Sequence, residues 1–312
     1  MIELDGVSKW YGQVSAVVDL SVRVERGIVG LVGRNGAGKS TILGLVAGLL
    51  RPSSGQLRVC GASPTRPAAR RVLALCPDVD AFPEWQSGLA FVASMLRLSG
   101  EPGGAALRKA QDAMARVGLA EAMPRPVGGY SKGMRQRTKL ALALAREPRV
   151  LLLDEPMNGL DPVARRDVTD QIRGLSAAGV IVVVSSHVLH ELEELVERVL
   201  LVHRGRLVAS GAVHELRQQL ADRPYRLLLR GREPRALAAE LARLPMVRGL
   251  RFAEDGLVLE TDRGAGLFER LTELGADGRL EELRPLDDDL EAVFGYLAGP
   301  GASAHAAAGR AR

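Results

Sequence analysis

The sequence predicts an α/β protein with a largely parallel central sheet, followed by a smaller α+β domain. Apolar runs of strand length alternate with helical patterns up to about residue 219, and three of them are apolar throughout: Ile28–Val32, Val150–Leu153 and Val180–Val184. Such runs are typical of parallel strands that are covered on both faces. The alternation of strands and helices predicts a largely parallel sheet that is covered by helices.

A helical subdomain is predicted from two segments, Leu89–Leu98 and Leu107–Val117, which lie where the strand patterns stop. The segment Glu101–Gly104 separates them and predicts a break, since proline and glycine interrupt helices. We therefore expect a first domain over residues 1–219 that contains an inserted helical subdomain at about residues 80–147.

A second domain is predicted over residues 220–298, because the composition shifts there towards Arg, Glu and Leu and the order of predicted strands and helices changes. A strand (Tyr225–Leu229) and a helix (Arg235–Leu244) precede a hairpin over Leu250–Thr261 that turns at Asp255-Gly256. A further helix and strand complete the order of a ferredoxin-like domain, and a last helix is expected over Asp289–Leu297. The Gly- and Ala-rich segment 299–312 lacks periodicity, and we expect it to be disordered.

The composition excludes several classes of protein. The net charge of +5 is modest for 312 residues and the basic residues are spread out, so no nucleic-acid-binding stripe is indicated. Two cysteines, Cys60 and Cys76, are too few for a disulfide framework, and we expect both to be buried in a reducing compartment. No run approaches the ~18 apolar residues of a membrane-spanning helix, and the N-terminus does not resemble a signal peptide. We expect a soluble or peripheral protein.

A phosphate-binding loop follows the first apolar strand. Residues 33–40 fit the pattern G-x-x-x-x-G-K-[ST] between the strand and a helix predicted over Thr41–Leu50. Backbone amides and the helix N-terminus then face one phosphate group, the lysine reaches the outer phosphates and the serine binds Mg²⁺. The residues expected to contact ATP here are Gly33, Arg34, Asn35, Gly36, Ala37, Gly38, Lys39, Ser40 and Thr41.

Two acidic residues follow the apolar strand Val150–Leu153. A strand that is buried on both faces presents carboxylates only where it ends, and Asp154 and Glu155 stand at that place. We expect Asp154 to hold the Mg²⁺ shell and Glu155 to act as the general base that polarises a water molecule.

Ser131 stands before a strongly helical segment, in the stretch GGYSKGMRQR. Its hydroxyl is placed to cap the helix that begins near Lys132, which is a sufficient structural role. A capped helix start preceded by glycines is also an anion site, and this chain already has a phosphate loop of its own. We therefore expect Ser131 to contact an ATP molecule that is held by another copy.

Together these motifs resemble the nucleotide-binding subunit of ABC transporters, with YSKGM (Tyr130–Met134) in place of the commoner signature LSGGQ. The resemblance covers about residues 1–219 and implies a P-loop NTPase cassette that dimerises head-to-tail on ATP. It implies trans phosphate contacts from Ser131, Lys132 and Gly133, although lysine departs from the usual glycine. Asp161 falls in the D-loop of the family, and it is equally suited to cap a helix that starts with a proline.

The resemblance also assigns Tyr11 and His187. Tyr11 matches the aromatic residue that stacks on adenine, whereas Trp10 is expected to pack against the protein, since neighbouring side chains on a strand point to opposite faces. His187 matches the switch histidine that contacts the γ-phosphate. A metal site formed with His190 and Glu191 matches no zincin spacing and is disfavoured.

One position departs from the family pattern. The loop after the strand ending at Cys76 usually carries a glutamine that touches Mg²⁺ and the membrane partner, and Asp78 stands there in this chain. The metal ligands are then Ser40, Asp154 and Asp78, with Gln86 as an alternative to Asp78. A carboxylate can still ligate Mg²⁺ directly or through water.

The resemblance implies an ATPase that binds ATP and Mg²⁺ and drives a separate membrane permease, of the type-two exporter class. Two copies, or one copy and a similar ATPase, would dimerise at the cytoplasmic face of the membrane as peripheral subunits. An accessory role in the maturation of a periplasmic metalloenzyme uses similar subunits and stays open. A nucleic-acid- or ribosome-associated ATPase is disfavoured, because the chain has one cassette and no long coiled coil between Lys39 and Ser131. The transported substrate is not encoded in these motifs.

Overall fold

The computed structural model describes residues 1–187, 192, 195–212, 215, 225–253, 256–262 and 265–285. The chain divides into two compact units, Met1–Val213 and His214–Arg312. Each unit has its own sheet and its own hydrophobic core.

The described residues of the first unit contain nine strands and six α-helices. The strands are β1 (Ile2–Tyr11), β2 (Val14–Val24), β3 (Ile28–Val32), β4 (Ser54–Val59), β5 (Leu73–Cys76), β6 (Val150–Leu153), β7 (Ile181–Ser186), β8 (Arg198–His203) and β9 (Arg206–Ala212). The helices are α1 (Lys39–Val46), α2 (Pro67–Arg71), α3 (Gly88–Leu98), α4 (Gly103–Arg116), α5 (Lys132–Ala145) and α6 (Pro162–Ala177).

The central sheet has the strand order β5-β6-β7-β3-β8-β9. Its first five strands are parallel and only β9 runs antiparallel, along the edge beside β8. Every residue of β3, β6 and β7 is buried, which is what continuous apolar runs predict for strands covered on both faces. The predicted largely parallel sheet is therefore confirmed.

A second sheet in the first unit was not predicted from the sequence. Strands β2, β1 and β4 pair antiparallel in that order, and their buried residues join α1 and the central sheet in one core. Residues Ile2, Leu4 and Val7 of β1 are buried while their neighbours are not. This alternation is the pattern of a strand with one covered face, in contrast to the fully buried central strands.

The largest differences between predicted and observed helices are at the end of α1 and at the start of α4. Helix α1 begins at Lys39 and ends at Val46, not at residue 50, because Gly48 adopts a left-handed conformation (φ 71°) that ends helices. Helix α4 begins at Gly103, so the two glycines predicted to break the chain form its first turn, after Pro102 as the N-cap.

The second unit contains, in its described residues, β10 (Tyr225–Arg230), α7 (Pro234–Leu241), β11 (Val247–Ala253), β12 (Gly256–Thr261), α8 (Ala265–Ala276) and β13 (Glu282–Pro285). The strands pair antiparallel in the order β11-β12-β10-β13. In this order β12 lies between β10 and β11, and β10 lies between β12 and β13. The two strands of each strand–helix–strand unit are therefore separated by one strand of the other unit, as in the predicted ferredoxin-like arrangement. The turn residue Asp255, the helix expected over Asp289–Leu297 and the segment 299–312 lie outside the described residues.

Candidate nucleotide-binding site

The predicted phosphate motifs meet at one edge of the central sheet. Strands β6, β7 and β3 are adjacent and parallel, and their carboxyl ends lead into Asp154, His187 and Gly33. Ligands bind outside the carboxyl ends of the strands in sheets of this kind. The fold therefore brings together three motifs that are far apart in the sequence.

Close backbone contacts explain two glycines of the loop after β3. A Cβ atom on Gly33 would lie 2.4 Å from the carbonyl oxygen of Val202, and one on Gly38 would lie 2.4 Å from that of Ala16. Gly38 also has a φ of 106°, which other residues rarely adopt. The loop is anchored further by the amide of Gly205, which donates to the Ala37 carbonyl at 2.9 Å. Neighbouring strands thus fix the shape of the loop.

Lys39 is buried at the base of this loop, with 6% of its side chain exposed. Its Nζ donates to the carbonyl oxygen of Gly33 at 2.6 Å and lies 3.3 Å from Glu155 Oε1. A buried ammonium group needs such acceptors, because an unpaired buried charge is costly. The predicted lysine and the predicted general base are in direct contact.

Glu155 is held by a residue that the sequence analysis did not single out. The buried Ser185 of β7 donates its hydroxyl hydrogen to Asp154 Oδ1 at 2.6 Å and accepts from the amide of Glu155 at 2.8 Å. Glu155 has a φ of 48°, a left-handed conformation that costs a non-glycine residue about 1–3 kcal/mol and is frequent at active sites. The polar serine at the end of an otherwise apolar strand was the sequence signal for this role.

His187 completes the group of charged residues. Its Nδ1 lies 2.9 Å from Glu155 Oε2, and 42% of its side chain is exposed. The two carboxylate oxygens of Glu155 therefore have separate partners, Lys39 and His187. A carboxylate fixed in this way, beside a phosphate loop, is suited to accept a proton from a water molecule.

The predicted metal ligands Ser40 and Asp78 are exposed, and Asp154 is half-buried. Among the described residues, no group of three or more His, Cys, Asp or Glu side chains is arranged to hold a metal ion. The alternative residue Gln86 directs its amide towards Ser94 of α3, at 3.3 Å from its hydroxyl.

The signature segment and the D-loop segment pack on each other within this chain. Ser131 caps α5 as predicted and accepts from the amide of Met134 at 3.2 Å. A Cβ atom on Gly159 would lie 2.4 Å from Lys132 Nζ, so the lysine that replaces the commoner glycine lies directly over the D-loop. Asp161 caps α6 by accepting from the amides of residues 163 and 164, at 3.0 and 2.9 Å.

The aromatic pair at the end of β1 is exposed. Tyr11 is 49% exposed and Trp10 is 46% exposed, so the expectation that Trp10 packs against the protein is wrong. The register of β1 shifts between Lys9 and Trp10, which removes the regular alternation on which that expectation depended. Lys9 Nζ lies 5.2 Å from the centroid of the Tyr11 ring, within the range of a cation–π contact.

Cys76 is buried as expected, whereas Cys60 is partly exposed with a φ of 50°. The expectation of burial is therefore wrong for Cys60, which lies in the turn after β4. His190 and Glu191, the other members of the disfavoured metal site, lie outside the described residues. Within the part of the chain that the structure describes, no helix has the length and apolar character needed to cross a membrane.

Several known proteins are similar to this chain. A family model described as ABC transporter matches residues 17–158. The daunorubicin resistance ATP-binding protein DrrA3 of Streptomyces coeruleorubidus is 35% identical over 307 residues, which is 96% of this chain and 96% of that protein. The match therefore extends well beyond the segment that carries the phosphate motifs.

Two solved structures share the fold. A structure described as the ATP-binding subunit of an ABC transporter is 26% identical, covering 78% of this chain and 100% of its own with a TM-score of 0.64. A dimeric ATP-binding cassette in a post-hydrolysis state, bound to ADP and Pi, covers 68% of this chain and 99% of its own at 21% identity, with a TM-score of 0.63. The phosphate loop, the acids after β6 and the near full-length relative agree, and the chain belongs to the ABC transporter family as an ATP-binding subunit whose ATP hydrolysis is coupled to transport.

Proposed function

We propose that this chain is the ATP-hydrolysing subunit of an exporter, in which two ATPase subunits close head-to-tail over ATP and drive a separate membrane permease. The observation that carries the proposal is the bonded group Lys39–Glu155–His187 at the carboxyl ends of β3, β6 and β7. In this group Lys39 binds the outer phosphates, Glu155 accepts the proton of the attacking water and His187 contacts the γ-phosphate.

Mg²⁺ is part of the proposal. Ser40 and Asp154 offer a hydroxyl and a carboxylate oxygen, which are the ligand types that Mg²⁺ prefers, and Asp78 is a further carboxylate. When bound, the ion neutralises negative charge that develops on the phosphates. Ser185 fixes Asp154 for this task through its 2.6 Å hydrogen bond.

The head-to-tail arrangement rests on the exposure of the signature segment. Ser131 and Lys132 are exposed at the N-terminus of α5, where amide groups and the helix dipole favour an anion. The positive Lys132 lies over Gly159 of the D-loop, so both segments present one surface. A partner subunit, either a second copy or a similar ATPase, would insert its ATP against Ser131, Lys132 and Gly133.

The exporter assignment draws on the near full-length relative, which is named for daunorubicin resistance. The permease would sit in the membrane with this chain bound peripherally at the cytoplasmic face, and it would select the substrate. Tyr11 is exposed at the end of β1, where it can stack on adenine with a contribution of about 1–3 kcal/mol.

A mixing experiment tests the trans role of Ser131. Subunits with Lys39→Ala and subunits with Ser131→Arg, both carrying Glu155→Gln, each lack a required part of every site when alone. Mixed together with ATP, they form heterodimers with one complete site, which light scattering detects as ATP-dependent dimers. Thr138→Ala serves as a control, since its hydroxyl is also on α5 but donates to the Met134 carbonyl. The proposal would be contradicted if the Ser131→Arg subunit alone formed dimers at the ATP concentration that dimerises the chain carrying only Glu155→Gln.

The coupling to a permease is tested by affinity purification of the tagged chain from solubilised membranes. An integral membrane protein should copurify with it in stoichiometric amount. A chain that copurifies with ribosomes or with a soluble metalloenzyme instead would overturn the transport assignment while leaving the ATPase assignment intact.

A further inference from the structure

Lys139 lies in the interior of α5 and belongs to none of the motifs that define the ATP site. Its side chain is 9% exposed. Its Nζ donates to the carbonyl oxygens of Pro77 and Asp78 at 2.9 and 3.0 Å, and it lies 2.9 Å from Asp80 Oδ1. An ammonium group has three donors, and all three have an acceptor on the segment that follows β5.

These contacts hold a loop, not a neighbouring helix. Residues 77–80 have no regular secondary structure and are exposed, so Lys139 supplies hydrogen bonds that the loop backbone would otherwise find only in water. One turn earlier on the same face of α5, Gln136 Nε2 lies 3.6 Å from Cys76 Sγ, at the end of β5. Two side chains of α5 thus fasten the chain where it leaves the central sheet.

The far end of the same loop is tied to the approach to α5. The amide of Gly128 donates to the Glu84 carbonyl at 2.9 Å, and the amide of Val127 donates to the Gln86 carbonyl at 2.9 Å. Arg135 of α5 lies 3.5 Å from the Glu84 carboxylate. The side chains of Val79 and Trp85, one at each attachment, are 72% and 80% exposed. The loop 77–86 is therefore held at one end by α5, and at the other end by Arg135 of α5 together with the segment that leads into α5.

We propose that Lys139 is a positioning residue that makes the segment Pro77–Asp80 move together with α5, so that Asp78 follows the helix that carries Ser131. The inference rests on the proposed function, in which Ser131 contacts ATP of the partner subunit and Asp78 is a metal ligand. An α-helix is stiff over its length, and the three hydrogen bonds of a buried ammonium transmit its displacement to the loop backbone. Lys139 itself touches neither ATP nor the metal ion.

Cysteine labelling measures the attachment directly. The sequence contains two cysteines, so Cys60→Ser leaves Cys76 as the single thiol, next to Pro77. Cys76 is fully buried, and its thiol should react slowly with a thiol reagent until the segment opens. In this background Lys139→Met, which keeps the chain length but removes the donors, should raise the labelling rate about tenfold or more without ATP. Lys139→Arg keeps the charge and should stay near the original rate.

Kinetics of the full chain separate positioning from general stability. Lys139→Met should lower kcat for ATP hydrolysis about tenfold and leave KM for ATP unchanged, because the phosphate loop is intact, and Lys139→Arg should restore kcat. An unchanged labelling rate, or faster labelling with unchanged kcat, would overturn the proposal. Should Lys139→Met fail to fold, Lys139→Gln takes its place, since it removes the ammonium group and shortens the side chain so that the contacts with Pro77, Asp78 and Asp80 weaken together. An unchanged labelling rate in that variant would overturn the proposal equally. A wild-type chain without ATPase activity would instead contradict the proposed function, and the labelling result would stand independently.

Discussion

Both compact units of this chain carry a cluster of charged side chains, and the two clusters differ in how the backbone presents them. In the first unit Lys39, Glu155 and His187 follow the ends of parallel strands, and Lys39 and Glu155 are largely buried. In the second unit Glu240 of α7 pairs with Arg270 of α8 and with Arg279, and all three lie at the surface of regular helices or just beyond them.

The second cluster stabilises its unit by linking two helices. The hydrogen bond from Arg270, followed by that from Arg279, lowers the pKa of the Glu240 carboxyl. Arg270 also contacts Glu273 one turn away on α8. No backbone distortion accompanies these contacts, since the positive φ values among non-glycine residues, for the described part of the chain, all fall in the first unit. The cluster therefore has the properties of a surface ion-pair network.

The first cluster has properties that stability alone does not explain. It places a buried ammonium and a carboxylate beside a loop whose shape depends on two closely packed glycines, and it holds Glu155 at a φ of 48°. Such features cost free energy, and they recur where a site must be organised before its ligand binds. The comparison shows that an ion pair indicates a functional site when a strained backbone and a closely packed loop hold it in place. An ion pair on the surface of regular helices indicates stability alone.

The largest expected effect is on turnover, from Glu155→Gln. The amide keeps the shape of the side chain but cannot accept a proton, so kcat for ATP hydrolysis should fall about 10²- to 10⁴-fold while ATP binding persists. Phosphate release measures the first quantity and nucleotide titration the second. The matched control is Glu240→Gln in the second unit, which should leave kcat unchanged. Turnover of Glu155→Gln within a factor of a few of wild type would remove Glu155 from the mechanism.

Ser185→Ala should have the next largest effect, because it deletes the hydroxyl that joins Asp154 to the amide of Glu155. A displaced carboxylate lowers rates up to about 10²-fold, and a buried amide left without a partner costs about 1–3 kcal/mol. We expect kcat to fall about 10- to 100-fold with KM for ATP little changed. Val184→Ala, a buried truncation on the same strand, is the control for stability. An equal loss of kcat in both variants would contradict a specific role for Ser185.

Much of the site was predictable because its motifs are local. The phosphate loop, the acids after β6 and the caps Ser131 and Asp161 each depend on a few consecutive residues. Ser185 was missed because its role arises from the pairing of β6 with β7, which local periodicity does not reveal. Lys139 was missed for the same reason, since its acceptors Pro77 and Asp80 precede it by a whole helical subdomain.

The fold shows the same difference: elements marked by local sequence patterns were predicted, and elements that depend on distant pairing were not. Fully apolar runs identified the central strands, whereas the antiparallel sheet formed by β1, β2 and β4 was not foreseen. Its strands are partly exposed and alternate irregularly, with register shifts in β1. Helix ends were the least accurate feature, because a left-handed Gly48 and an N-terminal Gly103 have opposite consequences for the same residue type.

A smaller effect, on stability, is expected from Glu240→Gln. Because the folded-state pKa of Glu240 lies below its unfolded value, its contribution is fully present above the usual glutamate pKa of about 4.3. The contribution disappears as the pH falls through the folded-state pKa. At pH 7 the variant should lose at most about 1 kcal/mol of unfolding free energy, since the pairs are partly exposed. Urea unfolding at pH 7 and pH 3 measures both, and a difference between the two proteins that grows at pH 3 would contradict this account.

The smallest effect on ATP binding is expected from removing the second unit. We propose that residues 220–298 regulate or stabilise the dimer and take no part in hydrolysis, because Lys39, Ser40, Asp154, Glu155 and His187 all lie in the first unit. The sequence after Lys139 contains no further lysine, so a second phosphate loop of this type cannot form there.

A chain that ends at Gln219 should therefore fold, as circular dichroism would show, and bind a fluorescent ATP analogue with an affinity within about twofold of the full chain, since the residues proposed to bind ATP within one subunit all belong to the first unit. Its ATP-dependent dimerisation should weaken, which light scattering of the Glu155→Gln form measures separately from affinity. Glu240→Gln in the full chain is the matched control, since it perturbs the second unit without removing it. A folded, shortened chain that binds ATP more than about tenfold more weakly would show that the second unit contributes to the site, and the division between a catalytic and a structural charge cluster would no longer hold.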